Sequence, residues 1–127
     1  MPTSTYQTEF ESPVPEQITL RITGLIQDEL GVAIPGANLT TLTLTLYNST
    51  TEAVLNLRNA SDILGVNGGS VDASGNFTLT LTPADNALLG TGRSEKHIAL
   101  IVWTYNSGNS TGRFEVIFTV VNVTKGP

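Results

Sequence analysis

The chain contains no cysteine and few charged residues, and both absences narrow what it can be. Without cysteine it forms no disulfide and no thiolate metal site, so its stability depends on packing and backbone hydrogen bonds. Charged residues make up 13% of the 127 residues, well below the roughly 25% usual in soluble proteins. Threonine, serine, asparagine and glycine fill the polar positions instead. Because threonine favours strands and asparagine and glycine favour turns, this composition predicts one all-β domain.

Positive charge is scarce as well. Six lysines and arginines face eleven aspartates and glutamates, and the net charge is −5. The basic residues are scattered, so no basic stripe is available for phosphates and nucleic acid is not an expected partner. The N-terminal segment "MPTSTYQTEFESPVPEQ" has neither a basic region nor an apolar run, and no run of about 18 apolar residues occurs. We therefore predict neither a signal peptide nor a membrane span.

Residues 1–16 are polar and acidic and contain three prolines, a composition that resists helix and central strand. They predict an extended N-terminal arm, followed by a single domain over residues 17–127. Tyr6, Phe10 and Val14 lie four residues apart in the arm and are candidate partner-binding anchors. An arm with apolar anchors packs on its own domain or on a neighbouring subunit, or it is disordered, and the sequence leaves these alternatives open.

Alternation of apolar residues with threonine is the main structural signal. In "TLTLTLYN", residues 41–48, the leucines share one face and the threonines the other, as in a half-buried strand. Segment 52–57 is then predicted to return as the hairpin partner of this strand, and segment 61–64 to form a helical turn. Further strands are predicted at residues 18–23, 77–82, 96–105 and 113–123.

The stretch "VDASGNFTLTLTPADNALL", residues 71–89, combines two kinds of pattern. Its first half predicts a short strand at Val71, a turn over residues 72–76 and an alternating strand. In its second half Thr82 fits a helix N-cap, with Pro83 at the first helical position and Asp85 three residues after the cap. Such a segment builds scaffold, not catalytic machinery.

About seven short strands separated by turn signals predict an antiparallel β-sandwich of immunoglobulin-like shape. A small barrel or a jelly roll is the alternative. The final pair of long strands is predicted to form a hairpin, and the run 97–105 is apolar on both faces. That pattern is typical of a central strand covered on one side by the opposite sheet and on the other by an arm, loop or partner.

Few residues carry recognisable chemistry. His97 is the single histidine and cannot build a metal site alone. The aspartates lack the spacing of a calcium loop, and Asp62, Asp72 and Asp85 each fit a turn or a cap. No nucleophile, phosphate-loop or zinc-protease motif is present. We therefore predict that the chain is not an enzyme and has no catalytic residue, cofactor or metal.

Trp103 and Tyr105 share a strand face and form the one candidate ligand platform, since aromatic rings stack on sugars. The alternative is that they belong to the sandwich core or to a subunit contact. Aromatic residues make up only 6% of the chain, which favours core or interface.

The block "GSVDASGNFTLTLTPADNALL" and the later stretch "IALIVWTYNSGNSTGRFEVIFTVVNV" resemble small immunoglobulin-like structural proteins of tailed bacteriophages. The resemblance lies in a "DxxGN"-type turn at residues 72–76, in "PAD" at 83–85, in "WTYN" at 103–106 and in the glycine-led strand 112–122. It covers the C-terminal half well, the hairpin near residue 45 loosely, and the arm not at all.

This resemblance implies a capsid decoration or cement protein that binds the major capsid protein or other virion proteins. It implies a homo-oligomer, with a trimer favoured, located on the capsid surface of the virion and made in the host cytoplasm. The alternatives are a head-to-tail or tail component, or a carbohydrate or cell-surface binding module. In the favoured role, strand edges and the arm would contact adjacent subunits. Uncharged polar side chains suit such contacts because they are cheaper to desolvate than charged ones.

Overall fold

A computed structural model describes residues 7–9, 13–88 and 94–121. These residues form an all-β fold, as predicted, with short 3₁₀ turns at Gly36–Asn38 and Pro83–Asn86. The strands are β1 (Gln7–Glu9), β2 (Val14–Pro15), β3 (Leu20–Leu25), β4 (Leu39–Asn48), β5 (Ser61–Asp62), β6 (Gly69–Val71), β7 (Asn76–Leu81), β8 (Ser94–Tyr105) and β9 (Ser110–Val121).

The strands form a large and a small sheet. The large sheet has the order β1-β9-β8-β4-β5, with β2 also pairing with β9, and the small sheet has the order β3-β7-β6. Strands β4, β8 and β9 pair antiparallel, whereas β1 and β2 pair parallel with β9. The large sheet is therefore mixed, not purely antiparallel as predicted, because the arm runs in the same direction as the last strand.

Alternating strands bring their leucines into one core between the sheets. Leu42, Leu44 and Leu46 of β4 are completely buried, and Leu79 and Leu81 of β7 meet them from the small sheet. Burying one such side chain stabilises the fold by about 1.5–3 kcal/mol. The prediction for residues 41–48 is confirmed, and the strand begins two residues earlier than predicted.

The turns predicted around the small sheet are also present. Strands β6 and β7 form a hairpin, and Asp72 Oδ1 accepts hydrogen bonds from the backbone N–H groups of Ser74 and Asn76. After β7, Thr82 and Asp85 form the capping box of the Pro83–Asn86 turn. The predicted hairpin of the two last strands corresponds to β8 and β9, paired over residues 94–105 and 110–121.

The segment after β4 differs from its prediction. Residues 52–57 run back beside β4 but are not a strand, with only an isolated bridge between Tyr47 and Val54. Glu52, Asn56 and Leu57 have φ values of 63°, 50° and 60°, which a regular strand excludes. The helical turn predicted at residues 61–64 is wrong. Its first two residues form β5, because they pair with β4 at Thr43 and Leu44.

The described parts of the arm lie on the domain itself. β1 pairs with residues 115–117 of β9, and β2 pairs Val14 with Val120. Val14 is 4% exposed and belongs to the hydrophobic core. In the single chain, Val14 therefore packs on its own domain. Tyr6 and Phe10 lie outside the described residues.

Candidate interaction surface

Trp103, one half of the candidate platform, lies near the C-terminal end of β8 and faces the core. Its side chain is 5% exposed, and its indole Nε1 donates a hydrogen bond to the backbone oxygen of Gln27 at 3.2 Å. The ring also packs at an angle against Phe114, with centroids 5.6 Å apart. One ring edge lies over Gly112, where an added Cβ would approach the indole to 2.5 Å. Trp103 therefore serves the core, and its ring has no free face on which a sugar could stack.

Tyr105, the other half, is half-buried and contacts the loop that follows β3. Its hydroxyl donates a 2.6 Å hydrogen bond to Glu29 Oε1, and this bond raises the pKa of the Tyr105 phenol. The loop is held in place by Asp28, whose Oδ1 accepts from the backbone N–H groups of Leu30 and Val32. Tyr105 thus fastens a turn to the end of the large sheet.

Two shallow depressions adjoin at this end of the molecule. One has a volume of about 230 Å³ and the other about 520 Å³, and Asp28, Glu29 and Tyr105 line both. Their walls combine apolar side chains with the acidic Asp28 and Glu29, and Arg113 lies at one side. Because the carboxylates already accept hydrogen bonds from the turn and from Tyr105, this groove is built mainly as a junction between loops.

The face of the large sheet that points away from the core is the more extensive surface. We use the name outer face for the residues at the centre and rim of this surface, which are half-exposed apart from the exposed Thr41. The centre consists of Ile98, Leu100 and Val102 of β8 with Ile117 of β9. Threonines lie beside this apolar centre, together with Glu115 and Arg113 of β9, which stand opposite Leu100 and Val102. Thr41 and Thr104 share a 2.7 Å hydrogen bond there. The surrounding threonines are Thr41, Thr43, Thr45, Thr104 and Thr119.

One polar contact crosses the outer face. The Tyr47 hydroxyl donates to Glu115 Oε2 at 3.3 Å, across the intervening strand β8. Partial burial first, and the Glu115 carboxylate second, raise the pKa of Tyr47. The face therefore combines an apolar centre, hydroxyl groups and few charges. This is the composition of a surface that a protein partner can cover at low desolvation cost.

A buried polar network lies where three loops meet beside the core. The Asp85 carboxylate is fully buried and accepts two hydrogen bonds from Arg58, both at 3.0 Å. Asn56 donates to it at 2.8 Å, and the Thr82 backbone N–H donates at 2.8 Å. Arg58 also donates to the backbone oxygen of Asn67. One carboxylate thus joins the irregular segment after β4 to both ends of the hairpin β6–β7.

The network decides the charge state of Asp85. Burial alone would raise the pKa of this carboxyl, but hydrogen bonds from Arg58, Asn56 and Thr82 outweigh it, and the pKa is lowered. The sequence indicated the capping role of Asp85 but not its partner Arg58. No local signal points to that pair, because the two residues are 27 positions apart.

The remaining titratable candidates have structural surroundings. His97 is fully buried, its Nε2 lies 2.9 Å from Glu95 Oε1, and its ring packs edge-on against Phe118. Asp62 Oδ1 accepts from the backbone N–H of Leu64, as a turn residue does. Across the described ranges, no three His, Asp or Glu residues are grouped so that they could hold a metal ion.

Within residues 7–9, 13–88 and 94–121, no helix is long and apolar enough to cross a bilayer. A scan against models of known protein families found no match, and searches of curated proteins and of solved structures found none either.

Proposed function

We propose that this chain is a non-enzymatic virion structural protein of a tailed bacteriophage. In this proposal it is a capsid decoration or cement protein that binds and stabilises the major capsid lattice. The observation that carries the proposal is the outer face, an apolar sheet surface with a threonine rim on the longest strands. The sequence resemblance to phage structural proteins supplies the identity of the partner.

We also infer that the sandwich is immunoglobulin-like, and the strand order supports this. In immunoglobulin domains one sheet contains strands B, E and D and the other contains G, F and C, extended by C′ in variable-type domains. Assigning β3 to β9 to B, C, C′, D, E, F and G in chain order gives the orders β3-β7-β6 and β9-β8-β4-β5. These are the neighbours found in the two sheets.

Three features of the outer face favour a protein neighbour. Ile98, Leu100 and Val102 stand in a row on β8, the central strand, so that their side chains form one continuous strip. Threonine hydroxyls at the rim make hydrogen bonds without carrying a charge that must be desolvated. Strand pairing holds the strip rigid, which reduces the entropy lost on binding. A rigid apolar strip of this kind suits a subunit that clamps a lattice.

The structural roles of three carboxylates support the proposal that the chain is not an enzyme. Asp28 and Asp72 hold turns, and Asp85 holds a buried network. The proposal further includes a homo-oligomer, with a trimer favoured, on the capsid surface.

The direct test is to locate the protein in particles of the phage whose genome encodes it. Antibodies against the purified chain, detected with gold by electron microscopy, should label the head surface. Label confined to the neck or tail would replace the decoration role with the alternative of a head-to-tail or tail component. Particles without label, and without the chain in their mass spectrum, would refute the virion role.

The surface itself is tested by a charge placed on it. Leu100→Lys puts an ammonium group at the centre of the outer face, and its aliphatic stem lets the fold tolerate the change. Thr80→Lys is the matched control, since Thr80 is half-buried on the central strand of the small sheet. We expect Leu100→Lys, but not Thr80→Lys, to prevent binding to heads stripped of the protein. Equal binding by both variants would contradict this assignment of the surface.

A further inference from the structure

The arm covers one edge of strand β9, and every copy of the chain has the same edge. β9 has β8 on one side, and on the other it receives β1 and β2, two short segments of three and two residues. The segments pair in parallel with residues 115–117 and 120–121 of β9. Without the arm, the five residues of β9 that pair with β1 and β2 would lose those partners along that edge. A strand that covers this edge need not come from the same chain.

The contact of the arm is specific as well as short. Val14 is 4% exposed and takes part in the core, next to Val120 in the pairing register. The buried valine fixes where the arm sits, because a shift by one residue would turn that side chain out of the core. An arm from another copy would find the same register and bury the same side chain.

The hinge between arm and domain holds an unfavourable backbone. Gln17 lies between β2 and β3 with φ at 59°, in the left-handed region that residues with a Cβ adopt at a cost. Its N–H donates to the backbone oxygen of Asn86, and the N–H of Glu16 donates to that of Val121. This tight turn folds the arm back onto its own sheet, and an open hinge would relieve it.

We propose that copies of this chain exchange arms, with β1 and β2 of one copy paired to β9 of a second copy. The closed and exchanged forms share the same strand pairing and the same buried Val14, so they differ mainly in the hinge and in the entropy of association. The four hinge residues 16–19 span up to about 13 Å when extended, which sets the distance at which a second copy could receive the arm. This inference deepens the homo-oligomer of the proposed function by naming the segment that links its copies.

The absence of cysteine makes a clean cross-linking test possible. One population carries Val14→Cys and a second carries Val120→Cys. The two are mixed in their full-length form, incubated and oxidised. A disulfide between the two chains requires that the arm of one lie on β9 of the other. Val14→Cys mixed with Ala73→Cys is the control for random collision, because Ala73 is exposed in the turn before β7.

We expect the Val14–Val120 mixture to give disulfide-linked dimers at about tenfold or more above the control. Tenfold is roughly the shift from closed to exchanged arms that relief of one left-handed residue would give. A yield equal to the control, together with an intrachain disulfide in the double variant Val14→Cys/Val120→Cys, would overturn the proposal. In that case every arm would remain on its own chain.

Hinge variants of the otherwise unchanged chain give a second readout. Gln17→Gly accepts the left-handed turn without penalty and should shift the monomer–oligomer equilibrium toward monomer by about tenfold. Gln17→Pro excludes a positive φ and removes the N–H that contacts Asn86, so it should shift the equilibrium toward oligomer. Light scattering after size exclusion measures both, and identical masses at all concentrations would refute exchange. Since only purified chain is used, these tests can fail while particle labelling succeeds, and the reverse.

Discussion

Replacing the buried carboxylate of Asp85 with an amide tests how the loops beside the core are held. Asp85→Asn keeps the size of the side chain but removes its charge, and it points an NH₂ group at existing donors. In the native protein Arg58, Asn56 and Thr82 all donate to this carboxylate. The variant leaves the buried Arg58 guanidinium without its counter-charge.

The size of the effect follows from the burial of both partners. Asp85 is completely buried and Arg58 is 9% exposed. Breaking a buried ion pair by removing one partner costs about 3–5 kcal/mol. With about 0.0021 kcal/mol/K of unfolding entropy per residue, 127 residues give about 0.27 kcal/mol/K. The variant should therefore melt roughly 11–19 °C below the wild type.

Urea unfolding, followed by fluorescence of Trp103, the only tryptophan, measures the loss in free energy of unfolding. Asp62→Asn is the matched control, because Asp62 is exposed and an asparagine can still accept the hydrogen bond from Leu64. We expect the control to change the free energy of unfolding by no more than about 0.5 kcal/mol. A loss below about 1 kcal/mol for Asp85→Asn, the value of an exposed pair, would refute the reasoning.

The same carboxylate predicts part of the acid sensitivity of the fold. Because the pKa of Asp85 is lowered in the folded state, the unfolded chain takes up this proton more readily. The stabilisation from Asp85 is complete above the ordinary Asp pKa of about 3.9 and is lost as the pH falls toward the lowered value. Asp85→Asn should lack this component, so its urea midpoint should fall less than that of the wild type below about pH 4.

Three further substitutions test other parts of the structure. Gly112→Ala places a Cβ 2.5 Å from the Trp103 indole, so it should destabilise the fold by about 1–3 kcal/mol and shift the tryptophan emission; an unshifted spectrum would contradict this packing. Leu44→Ala should cost about 2–5 kcal/mol in urea unfolding because Leu44 is fully buried, and a smaller loss would argue against the core assignment. Tyr105→Phe removes a phenol whose pKa is raised by its bond to Glu29, so an absorbance titration should lose a late-titrating tyrosine, whereas loss of a tyrosine with the ordinary pKa of about 10 would argue against that bond.

Local patterns predicted those parts of the fold that one short segment determines. The leucines of residues 41–48 alternate with polar residues, so the strand and its buried face follow from the sequence. The hairpin around Asp72 and the capping box of Thr82 and Asp85 also lie within a few residues each. In these places side-chain chemistry and backbone geometry favour the same structure.

Long-range pairing explains what the sequence left undecided. The parallel partner of β1 and β2 lies more than 100 residues away, and no local pattern identifies it. Val14 could equally have been an anchor for a neighbour, because its burial depends on that distant strand. Segment 52–57 carries strand-forming residues, but its backbone turns repeatedly through positive φ.

Strand β8 shows why the candidate platform could not be judged from the sequence. Both of its faces are apolar, so alternation alone does not reveal which one lies against the core. Pairing with β4 decides it, since Trp103 lies opposite the fully buried Leu42 and Ile101 opposite Leu44. That register places Trp103 in the core and Leu100 on the outer face.

The strand edges and the outer face are alternative surfaces for a partner, and their protection differs. In the large sheet the arm covers the β9 edge, and the opposite edge strand, β5, has only two residues. In the small sheet β3 places the exposed Arg21 and Thr23 along its edge, and β6 has three residues. Short, covered or charged edges discourage strand addition by unrelated chains. The outer face has half-exposed apolar side chains at its centre, and covering them is the contribution that the proposed partner would make.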